Sequence, residues 1–149
     1  MLDRGRVLQT GDRAELLRHP KSRFVAELTG VNFFEGTITA APEDGLVEIE
    51  VNGARLYAVS EQKEMGETLV AFFPSDVAIS REPPASSAVN VFRSSVKEIV
   101  HLGDRVRMAL NGALSLCAEI TAGSLDRMGL TEGDEVYASL KATAIKTYR

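Results

Sequence analysis

After Gly30 the chain is written in short alternating runs of apolar and polar residues. Val47, Ile49 and Val51 alternate with Glu48 and Glu50, which predicts a strand with one face buried and one in water. Further strands are predicted over 33–38, 55–59 and 68–73, with a short one over 77–79. Asn52-Gly53 is the dipeptide that closes two-residue hairpins, because both positions of such a turn need positive φ. Glu82-Pro83-Pro84-Ala85-Ser86 reads as a linker, since neither proline can donate to the interior of a β ladder.

The first 30 residues have a different pattern. Asp3-Arg4-Gly5 is turn-like, and 6–10 reads as a short strand stopped by Gly11. Asp12 followed by Glu15 forms a capping-box pattern for a helix that must end near His19, ahead of Pro20. Ser22 can cap a second helix over 23–29. Its buried stripe is Phe24, Val25 and Leu28, and its stop is Gly30. Two helices with so little apolar surface are expected to be the end of a larger domain.

The β part repeats itself. Asn32-Phe33-Phe34-Glu35-Gly36 matches Asn90-Val91-Phe92-Arg93-Ser94, and Asn52-Gly53-Ala54 matches Asn111-Gly112-Ala113. The second match is expected to be a hairpin tip again, with Val106, Met108 and Leu110 on one face of the strand before it. Gly66-Glu67-Thr68 matches Gly133-Asp134-Glu135, so the offset grows from 58 to 67 residues. The extra length falls near 121–130, where Ser124 can cap a helical turn and Gly129 can end it. Two copies of about 60 residues indicate a duplicated domain, not a solenoid. About five short strands per copy fit a five-stranded Greek-key barrel of OB type. The division expected is a helical segment over 1–30, a first barrel over 31–82 and a second over 83–149.

Composition narrows the function. The chain has 149 residues, 44% apolar and 26% charged, with a formal net charge of −4, which fits a folded soluble protein and argues against a general nucleic-acid binder. An OB-type nucleic-acid reader would want a basic face with stacking aromatics, whereas this chain has no Trp and 6% aromatics. Residues 31–86 carry three Lys/Arg against ten Asp/Glu, and residues 87–149 carry eight against seven. An anion site therefore belongs in the last third. Glu48, Glu50, Glu61, Glu64 and Glu67 read as a solvated acidic face. Cys117 is the single cysteine, which excludes an intrachain disulfide and a cysteine metal cluster. It reads as a buried strand residue. His19 reads as a helix-end residue and His101 as a loop residue near Gly103, so no zinc constellation forms. No apolar run reaches the length of a membrane-spanning helix.

The candidate chemistry lies in two small-donor clusters. Lys141-Ala142-Thr143 brings an ammonium, backbone N–H groups and a hydroxyl into one short arc, a donor set suited to a tetrahedral dianion. Ser87-Ala88-Val89-Asn90 adds a second hydroxyl and an amide. The two clusters are expected to meet. Each residue also has a plainer reading: Lys141 as a solvated edge lysine, Asn90 as a turn former like its mate Asn32, Ser87 as linker, and Thr143 as a strand residue.

These motifs carry a family resemblance. Gly5 through Gly11, then Glu15-Leu16, Pro20, Phe24-Val25-Ala26 and Gly30, resemble the tail of an ABC importer ATPase subunit. The chain after Gly30 resembles the paired barrels of a TOBE region. Residues 87–146 resemble the Mop type in Ser87-Ala88-x-Asn90, in Leu130-x-x-Gly133-Asp134-Glu135-Val136-Tyr137-Ala138 and in Lys141-Ala142-Thr143. The family usually carries Arg where Val89 stands and Gly where Ser94 stands. The resemblance implies a cytoplasmic regulatory region, peripheral to the inner membrane within a transporter. It implies a homodimer that binds molybdate or tungstate through Ser87, Asn90, Lys141, the Ala142 backbone and Thr143. Its implied partners are the ATPase domain and the transmembrane permease. No metal and no cofactor is expected here, ATP and magnesium belonging to the ATPase domain. The chain lacks a phosphate-binding glycine loop with its Lys-Ser/Thr, so no catalysis is expected of it. The alternative is a ligand-free dimerisation module of an importer for another solute.

Overall fold

The computed structural model describes residues 2–3, 6–7, 30–41, 45–60, 64–85 and 90–148. The helices expected over 12–19 and 23–29, together with Ser87 and Val89, lie outside the described residues. Near the start, β1 (Leu2–Asp3) pairs antiparallel with β2 (Arg6–Val7), Leu2 opposite Val7.

Two five-stranded antiparallel sheets make up the rest. The first repeat supplies β3 (Asn32–Ala40), β4 (Leu46–Val51), β5 (Ala54–Val59), β6 (Gly66–Phe72) and β7 (Ala78–Ser80). The second supplies β8 (Asn90–Leu102), β9 (Arg105–Gly112), β10 (Leu116–Thr121), β11 (Glu135–Leu140) and β12 (Lys146–Tyr148). Period-two alternation explains the strands: Val47, Ile49 and Val51 are fully buried on β4, as are Val106, Met108 and Leu110 on β9. Between Val51 and Ala54, Asn52 and Gly53 both take positive φ, +49° and +83°, the twist a two-residue hairpin requires. The OB-like double unit expected from the repeats is present.

The sheets do not divide where the repeats do. The strand order is β5-β4-β3-β6-β12 in the first lobe and β10-β9-β8-β11-β7 in the second. Each repeat thus gives its last strand to the other lobe. A single hydrophobic cluster runs through both lobes, from Ile38, Ile49 and Phe72 to Met108, Leu110, Leu140 and Ile145. The crossings are two matching 3-10 turns. Pro74–Asp76 leads from β6 to β7, and Ala142–Ala144 leads from β11 to β12. Because β7 and β12 begin at residues 78 and 146, the end-of-repeat offset is 68, one more than the glycine match at 66 and 133 implied.

Three local expectations need correction. Asn111-Gly112 is not the tip of a two-residue hairpin. The reversal expected there falls at 111–115, since the β9–β10 pairing ends at Leu110 opposite Leu116, while Asn111 and Gly112 stay paired with Ser95 and Ser94 of the long strand β8. The tight hairpin of this repeat is Gly103-Asp104, between Leu102 and Arg105, with Gly103 at φ +71°. His101 is accordingly an exposed strand residue opposite Val106. In the inserted segment, α1 (Ala122–Met128) is capped by Thr121, whose hydroxyl accepts from the Ser124 N–H at 3.1 Å. Ser124 is the third residue of the helix, and Gly129 at φ +62° ends it.

Ser94 is packed where a Cβ on Gly112 would sit only 2.9 Å from the Ser94 hydroxyl oxygen. That oxygen is the one buried side-chain polar atom without a hydrogen-bond partner among the described residues. A buried hydroxyl stripped of water and unpaired costs about 1–3 kcal/mol. Ser94→Ala is therefore expected to raise stability by about 1 kcal/mol, read as a higher urea midpoint with unchanged m-value. A lower midpoint would show that the hydroxyl has a partner the packing conceals.

Candidate functional site

Asn90 and the Lys141 turn meet at the end of one strand pair. Asn90 opens β8 and Leu140 closes β11, and the two are direct register partners. Ser87 itself lies outside the described residues.

Lys141 stands just ahead of the 3-10 turn in an extended conformation, φ −74° and ψ 143°. Two backbone bonds close the turn: the Ala144 N–H donates to the Lys141 carbonyl at 3.0 Å, and the Ile145 N–H to the Ala142 carbonyl at 3.4 Å. The first N–H groups of any helical turn have no partner within it. Those of Ala142 and Thr143 accordingly have no acceptor among the described residues, and no side chain caps the turn. Lys141 and Thr143 are exposed and Ala142 is half-buried, while Ile145 anchors the turn in the core at 1% exposure. No ion pair engages Lys141 among the described residues. Lys141 and Thr143 thus expose an ammonium and a hydroxyl, next to two backbone N–H groups without an acceptor among the described residues.

Asn90 does something other than expected. Its side chain is buried, 2% exposed. The Oδ1 accepts from the Tyr57 N–H at 2.8 Å, and the Nδ2 donates to the carbonyls of Tyr57 at 2.8 Å and Leu140 at 3.2 Å. A primary amide has two N–H donors, and both are committed to protein carbonyls. Asn90 is thus a fastening, not a side-chain donor to a ligand. The signal was available in its repeat mate. Asn32 binds the Cys117 backbone in the same two-bond manner, 2.8 Å each way.

The matching turn of the first repeat lacks two of the donors. Phe73 replaces Lys141, Pro74 replaces Ala142 and so has no N–H, and Asp76 brings a negative charge where Ala144 stands. Ser75 matches Thr143 in both its hydroxyl and its backbone N–H, which has no acceptor among the described residues. The duplicated fold has the ammonium and the first N–H at only one of its two crossings.

The other groups weighed from sequence fall outside this site. A concavity on the first lobe is lined by Glu35, Glu50 and Glu67, a lining that repels an anion. Glu48 is not simply a solvated carboxylate: Arg55 pairs with it at 2.6 Å. Cys117 is half-buried on β10, and burial pushes its thiol pKa up, away from the reactive thiolate. Among the described residues no group of three His, Cys, Asp or Glu is placed to hold a metal. No helix among them is long and apolar enough to cross a membrane.

Comparison with known proteins agrees with this architecture. Residues 86–147 match the TOBE domain family. The molybdate/tungstate import ATP-binding protein WtpC of Pyrococcus abyssi is 36% identical over 146 residues. The alignment covers 97% of this chain and 40% of the relative. The putrescine transport ATP-binding protein PotG of Escherichia coli is 32% identical over 143 residues, covering 91% of this chain and 38% of the relative. The chain thus spans about 40% of the length of the first of these relatives. A solved structure of the cytoplasmic molybdate-binding protein ModG, with molybdate bound, superposes with a TM-score of 0.66 at 22% identity. It covers 78% of this chain and 94% of that one, and so establishes the shared fold. Residues 86–147 are a TOBE domain, in a chain similar over nearly its whole length to import ATP-binding proteins for molybdate and tungstate.

Proposed function

We propose that this chain is the oxyanion-sensing regulatory region of a molybdate or tungstate importer's ATP-binding subunit. The observation that carries the reading is the Lys141 turn, whose Ala142 and Thr143 N–H groups have no acceptor among the described residues, beside the start of β8. Ser87, Lys141, the Ala142 backbone and Thr143 supply donors, and Asn90 forms the fixed corner of the site. A dianion entering a protein must replace its hydration with several directed donors. Backbone N–H groups do so without side-chain entropy and cannot lose their proton at neutral pH. Fixed neutral donors select by size and geometry, which favours molybdate and tungstate over the smaller sulfate. The first-repeat turn has Phe73 and Pro74 in place of Lys141 and Ala142, with the negative Asp76 close by, so one anion per chain is expected.

The regulatory step builds on that site. Two copies of the chain pair, and an oxyanion accumulating in the cytoplasm binds between them. The liganded pair holds the attached ATPase domains apart, and import falls. A coupling of about 1–3 kcal/mol would change the transport-competent population by roughly 5- to 150-fold. Nucleotide binding and hydrolysis belong to the part of the subunit outside this chain.

A second reading rests on the similarity to a putrescine transport protein and on Val89 in place of the family's Arg. In it the region is a dimerisation module without a ligand. Titration calorimetry with molybdate, tungstate and sulfate separates the two. Heat from the two larger anions, with a raised melting temperature, is the expected result. No heat from any of the three would replace the sensor with the module.

A further inference from the structure

We propose that Asn90 is a positioning residue that fastens the anion-binding turn of the second lobe to the edge strand of the first. The inference rests on the oxyanion reading above and assigns the first lobe a part in it. Asn90 exchanges a pair of hydrogen bonds with the Tyr57 backbone on β5, both 2.8 Å, and its Nδ2 also reaches the Leu140 carbonyl at 3.2 Å. The Leu140 carbonyl belongs to the same planar peptide unit as the Lys141 N–H. Holding that oxygen fixes the plane from which the turn starts, and with it the direction of the Ala142 and Thr143 N–H groups. The Tyr57 bonds fix Asn90 in turn, because β5 is an edge strand whose outward N–H and C=O at this position have no other strand to meet. The site on the second lobe is therefore braced from the first.

The repeat supplies an internal comparison. Asn32 makes the same paired bonds to Cys117, on the edge strand β10. It makes no bond to the carbonyl of Phe72, its register partner, among the described residues. The third bond is present only in the repeat whose turn carries the donors.

The test compares Asn90→Ala with Asn32→Ala in the 149-residue chain. Both remove a buried amide from an inter-lobe contact and should lower the urea midpoint similarly. Only Asn90→Ala should speed hydrogen exchange at the Ala144 and Ile145 amides, the two whose bonds close the turn. The expected change is about tenfold beyond that of the global opening, measured without anion. Only Asn90→Ala should weaken molybdate and tungstate binding, again by about tenfold. Equal effects of the two variants on the turn amides, or unchanged turn exchange in Asn90→Ala, would overturn the proposal. If the wild-type chain takes up neither anion, the sensor reading fails, while the exchange comparison still decides whether Asn90 positions the turn. Should Asn90→Ala not fold, Asn90→Ser keeps one hydroxyl donor and carries the same comparison.

Discussion

A chain shortened to residues 1–144 is expected to lose its first lobe, although every residue removed belongs to the second repeat. Strand β12 is the fifth strand of the first sheet, with Lys146 opposite Ala71, Thr147 opposite Val70 and Tyr148 opposite Leu69. The Thr147 hydroxyl lies 2.7 Å from that of Ser60, and the Tyr148 carbonyl accepts from Thr68 at 3.2 Å. Ile145, 1% exposed, fills the shared core just before it. Removing a buried Ile side chain alone costs about 2–5 kcal/mol, before the lost ladder along β6 is counted. Typical domain stability is only about 5–15 kcal/mol, so the truncation should leave little folded protein. Ile145→Ala is the milder form, expected to cost about 2–5 kcal/mol by urea unfolding. Amide exchange should then show lost protection in β3 and β6 as well as in β11. Loss confined to β8–β11 would mean that the lobes are not joined through the exchanged strands.

That dependence could not be read from the chain. Strands β7 and β12 are three residues long, and a three-residue alternation looks the same whichever sheet receives it. The local signals that were legible act over a few residues. Val47, Ile49 and Val51 face inward because strand period is two, Asn52-Gly53 turns because it adopts positive φ, and Gly129 stops a helix for the same reason. Asn111-Gly112 marks the β9–β10 reversal but not a two-residue turn, because the dipeptide permits such a turn without compelling one. Here the 13-residue strand β8 runs on beside it and holds it extended. The site divides in the same way. The donor types in Lys141-Ala142-Thr143 were visible, and Asn90 pairs with Leu140 just ahead of that turn, while Ser87, the other side of the expected meeting, lies outside the described residues. That the Asn90 amide serves the backbone and not a ligand needed the position of Tyr57, 33 residues away in sequence.

Ala142→Pro is expected to leave the fold intact and weaken molybdate and tungstate binding by about 10- to 150-fold, the worth of one hydrogen bond to a charged group. The fold has already made this substitution once. Pro74 occupies the same place in the first-repeat turn, preceded by Phe73 at φ −81° and ψ 145°. Lys141 precedes Ala142 with almost the same angles, φ −74° and ψ 143°. A residue before proline must be extended, and the first position of a helical turn tolerates proline because its N–H has no partner there. Neither requirement is violated at 142. The substitution deletes one N–H from the proposed ligand set and leaves Lys141, Thr143 and both turn-closing bonds in place. Lys141→Ala is the complementary change. It removes the ammonium but keeps the backbone donors, so its effect should shrink as salt is raised, whereas that of Ala142→Pro should persist. An Ala142→Pro chain that melts like the wild type and binds the anions equally well would place the ligand away from this turn. One that melts lower but binds equally would show the same, because a backbone donor that can be deleted without loss of affinity is not part of the site.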